Sequence, residues 1–295
     1  MFAWIDRRDA YLNLWKRDWR AHNTLSPLHS LTLSCPPRAT AHASRHALTQ
    51  PQHTMCFVWV STWTAVIRVH GPKPVACKGR VWVSNHTSMI DFLVLSQVTP
   101  FATVMQKHPG WLGLVQTYVL GSFGCVQFNR KEARDRAKVS AKIKDYVHNN
   151  STFPLLIFPE GTCVNNRYCT MFKKGAFDLG ATVCPIALKY NKLFVDAFWS
   201  SRQQSFTMHL CELMTSWTVI ADIYFLEPQT KREDESAIEF ASRVQALIAK
   251  KARLKIVPWD GMLKYYSPSP LLCEQKRENF ASALKARLVK SEKSN

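Results

Sequence analysis

Gly79-Arg80-Val81-Trp82-Val83-Ser84-Asn85-His86-Thr87-Ser88-Met89-Ile90-Asp91 runs from an apolar segment into a histidine and, five residues on, an aspartate. Gly79–Val83 reads as a short strand and Ser88–Gln97 as a helix, so His86 falls in the strand-to-helix turn. Two residues five apart within one helix stand roughly 140° apart around its axis, and they meet only if the pair straddles the helix start. With His86 in the turn and Asp91 one turn into the helix, the carboxylate reaches back to the imidazole. It then fixes the tautomer and stabilises the imidazolium that forms when the other ring nitrogen takes a proton. The chemistry suited to such a pair is attack by an alcohol on an activated acyl group. An isolated His-x4-Asp match is more often a capping or core histidine, so its company in the chain decides the reading.

Three further blocks follow in order. Gly124-Cys125-Val126-Gln127-Phe128-Asn129-Arg130 precedes a charged helix, and Phe158-Pro159-Glu160-Gly161-Thr162 follows the apolar strand Leu155-Leu156-Ile157. Val183-Cys184-Pro185-Ile186-Ala187-Leu188 reads as another strand, in which Pro185 is expected to shape a sheet edge because it lacks a ladder donor. With the His86 block, these four resemble the glycerolipid acyltransferases (PlsC-like), over roughly residues 55 to 265. Phe158 to Asn166, Met171 to Phe177, Asp196-Ala197-Phe198-Trp199, Met214-Thr215-Ser216-Trp217 and Trp259-Asp260-Gly261 are most similar to the endoplasmic-reticulum type of glycerol-3-phosphate acyltransferase.

The resemblance implies an α/β fold: a single acyltransferase domain with a mixed β-sheet surrounded by helices, plus an irregular N-terminal segment. It implies direct transfer of a fatty acyl group from acyl-coenzyme A to the sn-1 hydroxyl of glycerol 3-phosphate, giving lysophosphatidate. His86 would be the base and Asp91 its partner. The acceptor site would comprise Arg130, Glu160, Gly161, Thr162 and Lys173. Arg130 carries a planar guanidinium suited to bidentate phosphate contact. Glu160, itself an anion, is expected to orient Arg130 or the loop, and Gly161 to let backbone amides approach the phosphate. A solvated ion pair is the bland alternative for Arg130 and Glu160. Lys173 and Lys174 either add positive potential or form a solvated loop edge.

Gln127 and Phe128 stand where many family members have phenylalanine and isoleucine, and Cys163 where many phosphatidate-forming members have arginine. Phe-Pro-Glu-Gly-Thr-Cys also occurs in lysophosphatidylcholine acyltransferases, so a lysophospholipid acceptor is the nearest enzymatic alternative. An inactive membrane-binding paralogue is the non-enzymatic one. The chain has no Gly-x-Ser-x-Gly elbow for a serine nucleophile.

The 295 residues carry a net charge of +18, which calls for an anionic partner: coenzyme A, a phosphorylated acceptor or an anionic membrane surface. Nucleic acid ranks second, because no nucleic-acid-binding motif is recognisable. Nine scattered cysteines without a Cys-x2-Cys pair argue against a zinc site or disulfide framework, and no metal or cofactor is expected beyond acyl-coenzyme A as a substrate. Asn85-His86-Thr87 and Asn150-Ser151-Thr152 match the glycosylation acceptor pattern, but a catalytic domain facing the cytosol would carry no glycan.

Residues 1–54 read as irregular or disordered. Asp6, Arg7, Arg8 and Asp9 fall where a signal peptide needs an apolar run. Residues 55–70 read as an interfacial membrane helix, since the apolar run before Arg68 is shorter than the roughly twenty residues a bilayer crossing needs. Residues 71–265 form the expected acyltransferase domain and residues 266–295 a basic helical tail. Members of this branch usually carry hydrophobic anchors before the domain, so the chain is expected to be a short isoform, a fragment or a sequence with a wrong start. Asp234-Glu235 followed by Ala237, Phe240, Ala241, Val244, Leu247 and Ile248 gives an amphipathic packing helix. The endoplasmic-reticulum membrane, with the domain on its cytosolic face, is the expected location. Oligomeric state has no signature in the sequence.

Overall fold

The computed structural model describes residues 60–62, 64–75, 77–106, 113, 125–128, 133–149, 153–264 and 269–292. Arg130, the 1–54 segment and the Asn150-Ser151-Thr152 sequon lie outside them.

Among the described residues, the domain is built on a seven-stranded mixed sheet. Its strands are β1 (Val66–His70), β2 (Arg80–Ser84), β3 (Ala102–Gln106), β4 (Val126–Phe128), β5 (Leu155–Ile157), β7 (Thr182–Asn191) and β8 (Ile220–Phe225). Their spatial order is β1-β8-β7-β2-β5-β3-β4, and β7 with β8 is the antiparallel pair. A two-stranded parallel ribbon joins β6 (Tyr168–Cys169) to β9 (Lys255–Ile256). Among the described residues, the helices that accompany the sheet are α1 (Asp91–Ser96), α2 (Ala133–Asn149), α3 (Phe206–Thr215), α4 (Ala237–Ala252) and α5 (Pro270–Glu292).

Side-chain alternation along the central strands divides the core in two. Trp82 of β2 and Cys184, Ile186, Leu188 and Tyr190 of β7 face α1 and α3, where they meet Val94, Leu95, Leu210 and Leu213. Val81 and Val83 of β2, with Val183 and Ala187 of β7, face the opposite side and pack against Ile143 and Val147 of α2 and Phe240, Val244 and Ile248 of α4. The strands β2, β5 and β7 are buried on both faces, which explains their near-continuous apolar sequence. The amphipathic helix read from 237 onward is α4, and its start is fixed by a capping box in which Ser236 and Glu239 exchange hydrogen bonds.

Three expectations are corrected. The interfacial helix over 55–70 fails at its end: Val66–His70 is strand β1, whose β-branched residues pair in parallel with β8, and helix is confined to residues 60–62 among those described. The helix after His86 starts at Asp91, three residues later than Ser88, because the Thr87 and Ser88 amides turn onto the Asp91 carboxylate. Pro185 lies in an interior strand, between β8 and β2, rather than at an edge. Its carbonyl accepts from Leu226 N at the point where β8 has already ended, so its missing N–H faces departing coil and breaks no regular ladder bond.

Candidate functional site

β2 ends at Ser84 and delivers Asn85 and His86 to the edge of the sheet formed by the C-terminal ends of β2, β5 and β7, the side at which parallel α/β sheets bind ligands. Asn85 anchors the turn: its Nδ2 donates to Leu188 O at 2.9 Å and its Oδ1 accepts from Leu188 N at 2.8 Å. An amide so engaged and buried has no atom left for a glycan, so the first sequon is a structural asparagine.

His86 and Asp91 meet as their spacing predicts. The His86 Nδ1 lies 2.9 Å from Asp91 Oδ2, and that same oxygen accepts from Thr87 N at 2.7 Å and Ser88 N at 3.1 Å. The other oxygen, Oδ1, accepts from the Tyr190 hydroxyl at 2.7 Å. Four donors therefore converge on a carboxylate that is fully buried, and they fix both its position and its rotation. An acceptor at Nδ1 makes it the protonated nitrogen and leaves Nε2 as a proton acceptor. Phe158 stacks on the imidazole with ring centroids 4.3 Å apart, holding its plane.

Burial disfavours the imidazolium, whereas Cys163, when charged, and the Asp91 carboxylate favour it; the net direction places the His86 pKa well above the ordinary 6.5. Cys163 Sγ stands 3.5 Å from Nε2, the ring nitrogen that Asp91 leaves free.

Glu160 is 1% exposed, which removes the reading of a solvated ion pair at the strand end. Its Oε2 accepts from His86 N at 3.2 Å and its Oε1 from Thr170 N at 3.3 Å. The residue thus ties the His86 turn to the loop that follows β5, and Val164 N closes the same junction by donating to His86 O at 2.8 Å. Burial raises the Glu160 pKa to about 7 against the opposing hydrogen bonds. Gly161 sits at φ +68°, a left-handed conformation that glycine adopts without strain. A Cβ there would lie 3.5 Å from Lys173 Nζ, so the Lys173 ammonium overhangs this turn; it also faces Asp260 Oδ1 at 3.7 Å. Thr162 is buried beneath Gly261, whose missing side chain leaves room for Thr162 Cγ2 and Glu160 O.

The structure therefore gathers His86, Asp91, Glu160, Gly161, Thr162 and Lys173 at one edge of the sheet, while Arg130 lies outside the described residues. Sequence reasoning missed Tyr190, which is 99 residues from Asp91 and had no motif signal beyond standing two residues past the fourth block. It also missed the bracing of the turn from α3. His209 bonds Ser88 Oγ and Gln204 Nε2, each at 3.2 Å, and burial lowers its pKa, leaving a neutral ring suited to that bridge. Seven cysteines are free thiols among the described residues, and no group of three or more potential metal ligands occurs there.

A buried histidine–aspartate turn at the open edge of a mixed α/β sheet presents an imidazole nitrogen able to take a proton. Residues 66–189 match the Acyltransferase family model. The chain is 38% identical over 231 residues to glycerol-3-phosphate acyltransferase 3 of Homo sapiens, covering 78% of this chain and 53% of that protein. It is 38% identical over 238 residues to glycerol-3-phosphate acyltransferase 4 of Mus musculus, covering 80% and 52%. Among solved structures, the 1-acyl-sn-glycerophosphate (LPA) acyltransferase PlsC of Thermotoga maritima superposes with a TM-score of 0.46 at 16% identity, over 76% of this chain and 84% of that one. Residues 66–189 are thus a domain of the acyltransferase family. The chain spans about half the length of the curated relatives it matches.

Proposed function

We propose that the chain transfers a fatty acyl group from acyl-coenzyme A to the sn-1 hydroxyl of glycerol 3-phosphate, releasing lysophosphatidate and coenzyme A. The observation that carries the chemistry is the Asp91 carboxylate clamped by four donors against His86 Nδ1. The names of the relatives supply the acceptor. His86 Nε2 removes the proton from the acceptor hydroxyl as its oxygen attacks the thioester carbonyl. Asp91 stabilises the imidazolium so formed. Collapse of the tetrahedral intermediate breaks the carbon–sulfur bond, and the imidazolium returns the proton to the departing thiolate. Arg130 and Lys173 supply positive charge for the acceptor phosphate, and the open turn at Gly161 lets that phosphate approach the backbone.

The reading places the domain at the cytosolic face of the endoplasmic-reticulum membrane, engaged in phospholipid synthesis. The net charge of +18 supports contact with an anionic lipid surface. Among the described residues, no helix is long and apolar enough to cross a membrane.

The test is acyl transfer from labelled acyl-coenzyme A, with glycerol 3-phosphate, lysophosphatidate and lysophosphatidylcholine offered separately and His86→Ala as the control. Preference for glycerol 3-phosphate, abolished in the variant, is the expected result. Preference for a lysophospholipid overturns the acceptor, and turnover that survives His86→Ala overturns the mechanism.

A further inference from the structure

A second cationic feature lies on the α4 side of β7. A recess of about 470 Å³ is lined by Arg167, Lys189, Lys192, Lys251 and Arg253, with Asp222 as its one acidic residue. The charges do not balance. Asp222 is already engaged from β1 by Arg68 at 2.7 Å and His70 at 3.0 Å, and Lys192 is paired with Asp196. Among the described residues, Arg167, Lys189, Lys251 and Arg253 have no ion-pair partner. Lys189 is half-buried, and its pKa is lowered by burial first and then by Lys192 and Arg253.

Like charges held together in a concave site are unfavourable unless an anion joins them. The negative end of the α4 dipole accounts for Lys250 and Lys251 in its last turn, but not for Lys189 on the sheet or Arg167 on the loop before β6. Arg253, the residue capping α4, adopts a left-handed conformation at φ 53°, where glycine is the usual occupant. The chain keeps a guanidinium there despite that strain.

The recess and the His86 turn share a strand. Leu188 holds Asn85, Tyr190 holds Asp91, and between them Lys189 points to the opposite face, its Nζ donating to Asn166 O at 2.7 Å. The acceptor phosphate already has Lys173 and the Gly161 turn on the His86 side. A ligand bound in the recess must instead carry its phosphates away from its reacting atom, on an arm that passes over the sheet edge. We propose that the recess binds the nucleotide phosphates of the acyl-coenzyme A donor, whose pantetheine arm separates them from the thioester. This rests on the acyl-transfer reading above.

The test is direct binding of coenzyme A to the full chain by calorimetry, with the exposed pair Lys251→Gln/Arg253→Gln as the variant and a folded circular dichroism spectrum as its control. Steady-state rates with acyl-coenzyme A and with acyl-pantetheine accompany the titration. Coenzyme A binding at least tenfold weaker in the variant supports the assignment, together with a KM for acyl-coenzyme A raised by a similar factor. The KM for glycerol 3-phosphate and the rate with acyl-pantetheine should stay unchanged. Equal coenzyme A affinity in the two proteins overturns it. So does loss of binding to phosphatidate-containing vesicles, or to inorganic phosphate alone, with coenzyme A affinity intact; those results assign the recess to a lipid headgroup or a free anion. Coenzyme A binding that needs these residues without any acyl transfer would sink the acyl-transfer reading and leave the recess standing as a nucleotide site.

Discussion

Replacing Asp91 by asparagine separates two things a carboxylate does for a histidine, and the surrounding donors decide how. The Thr87 and Ser88 amides and His86 Nδ1 all point at Oδ2, and backbone N–H groups cannot reverse. An asparagine therefore turns its oxygen to that side and its NH2 toward the Tyr190 hydroxyl, which can rotate to accept. The His86 tautomer survives and only the negative charge is lost. A hydrogen bond to a charged group contributes about 1.5–3 kcal/mol and a neutral one about 0.5–1.5 kcal/mol. The imidazolium thus loses about 1–1.5 kcal/mol, or roughly tenfold in kcat. A wrong tautomer would cost about 10⁴-fold. Removal of one cause of the raised His86 pKa also moves the ascending limb of the pH–kcat profile to lower pH; in the unaltered protein that limb lies above 6.5, since Nε2 must be unprotonated to accept. Initial rates of transfer to glycerol 3-phosphate across pH provide both readings. A folded Asp91→Asn protein that loses a thousandfold or more, or whose limb moves to higher pH, would refute the donor arrangement.

Cys163 Sγ occupies the approach to Nε2, so alkylation by a bulky maleimide should abolish turnover while Cys163→Ala stays active within a few-fold and resists the reagent; equal inactivation of both proteins would place the sensitive thiol elsewhere. The Glu160 pKa is raised from 4.5 to about 7, so the folded state binds the extra proton and this carboxyl makes stability fall as pH rises from about 4.5 through about 7. That contribution reaches about 3 kcal/mol, and Glu160→Gln should flatten it in urea titrations at pH 5 and pH 8. A Cβ on Gly261 would stand 2.6 Å from Thr162 Cγ2 and 3.1 Å from Glu160 O. Gly261→Ala should therefore cost about 1–3 kcal/mol and raise the KM for the acceptor as the Glu160–Thr162 loop shifts; an unchanged KM would show that the loop does not contact the acceptor.

How much was legible in the chain follows from the distance over which each feature is set. His86 and Asp91 lie five residues apart across one strand-to-helix turn, so local geometry was enough to bring them together, although the helix begins three residues later than periodicity implied because side-chain capping by Asp91 competes with helix propagation. The apolar runs of β2, β5 and β7 and the stripe of α4 were legible because burial on two faces or on one stripe leaves a period in the sequence. Val66–His70 was misread because a short apolar run fits a strand as well as a helix until a partner strand exists, and β8 lies about 150 residues downstream. The interior place of Pro185 depends on where β8 stops, which the proline's own neighbourhood does not encode.

The sequence by itself determined the pairing of His86 with Asp91 and the order of the blocks around it, because those depend on neighbouring residues, and the α/β class followed from the resemblance that those blocks carry. Only the tertiary structure decided what holds and limits the pair: Tyr190 on Asp91, Glu160 beneath the His86 amide, Cys163 at Nε2, and the cations gathered around Lys189. Each of those contacts joins residues brought together only when the strands pair and the loops at their ends close over one edge, and a linear pattern carries no record of which edge that is.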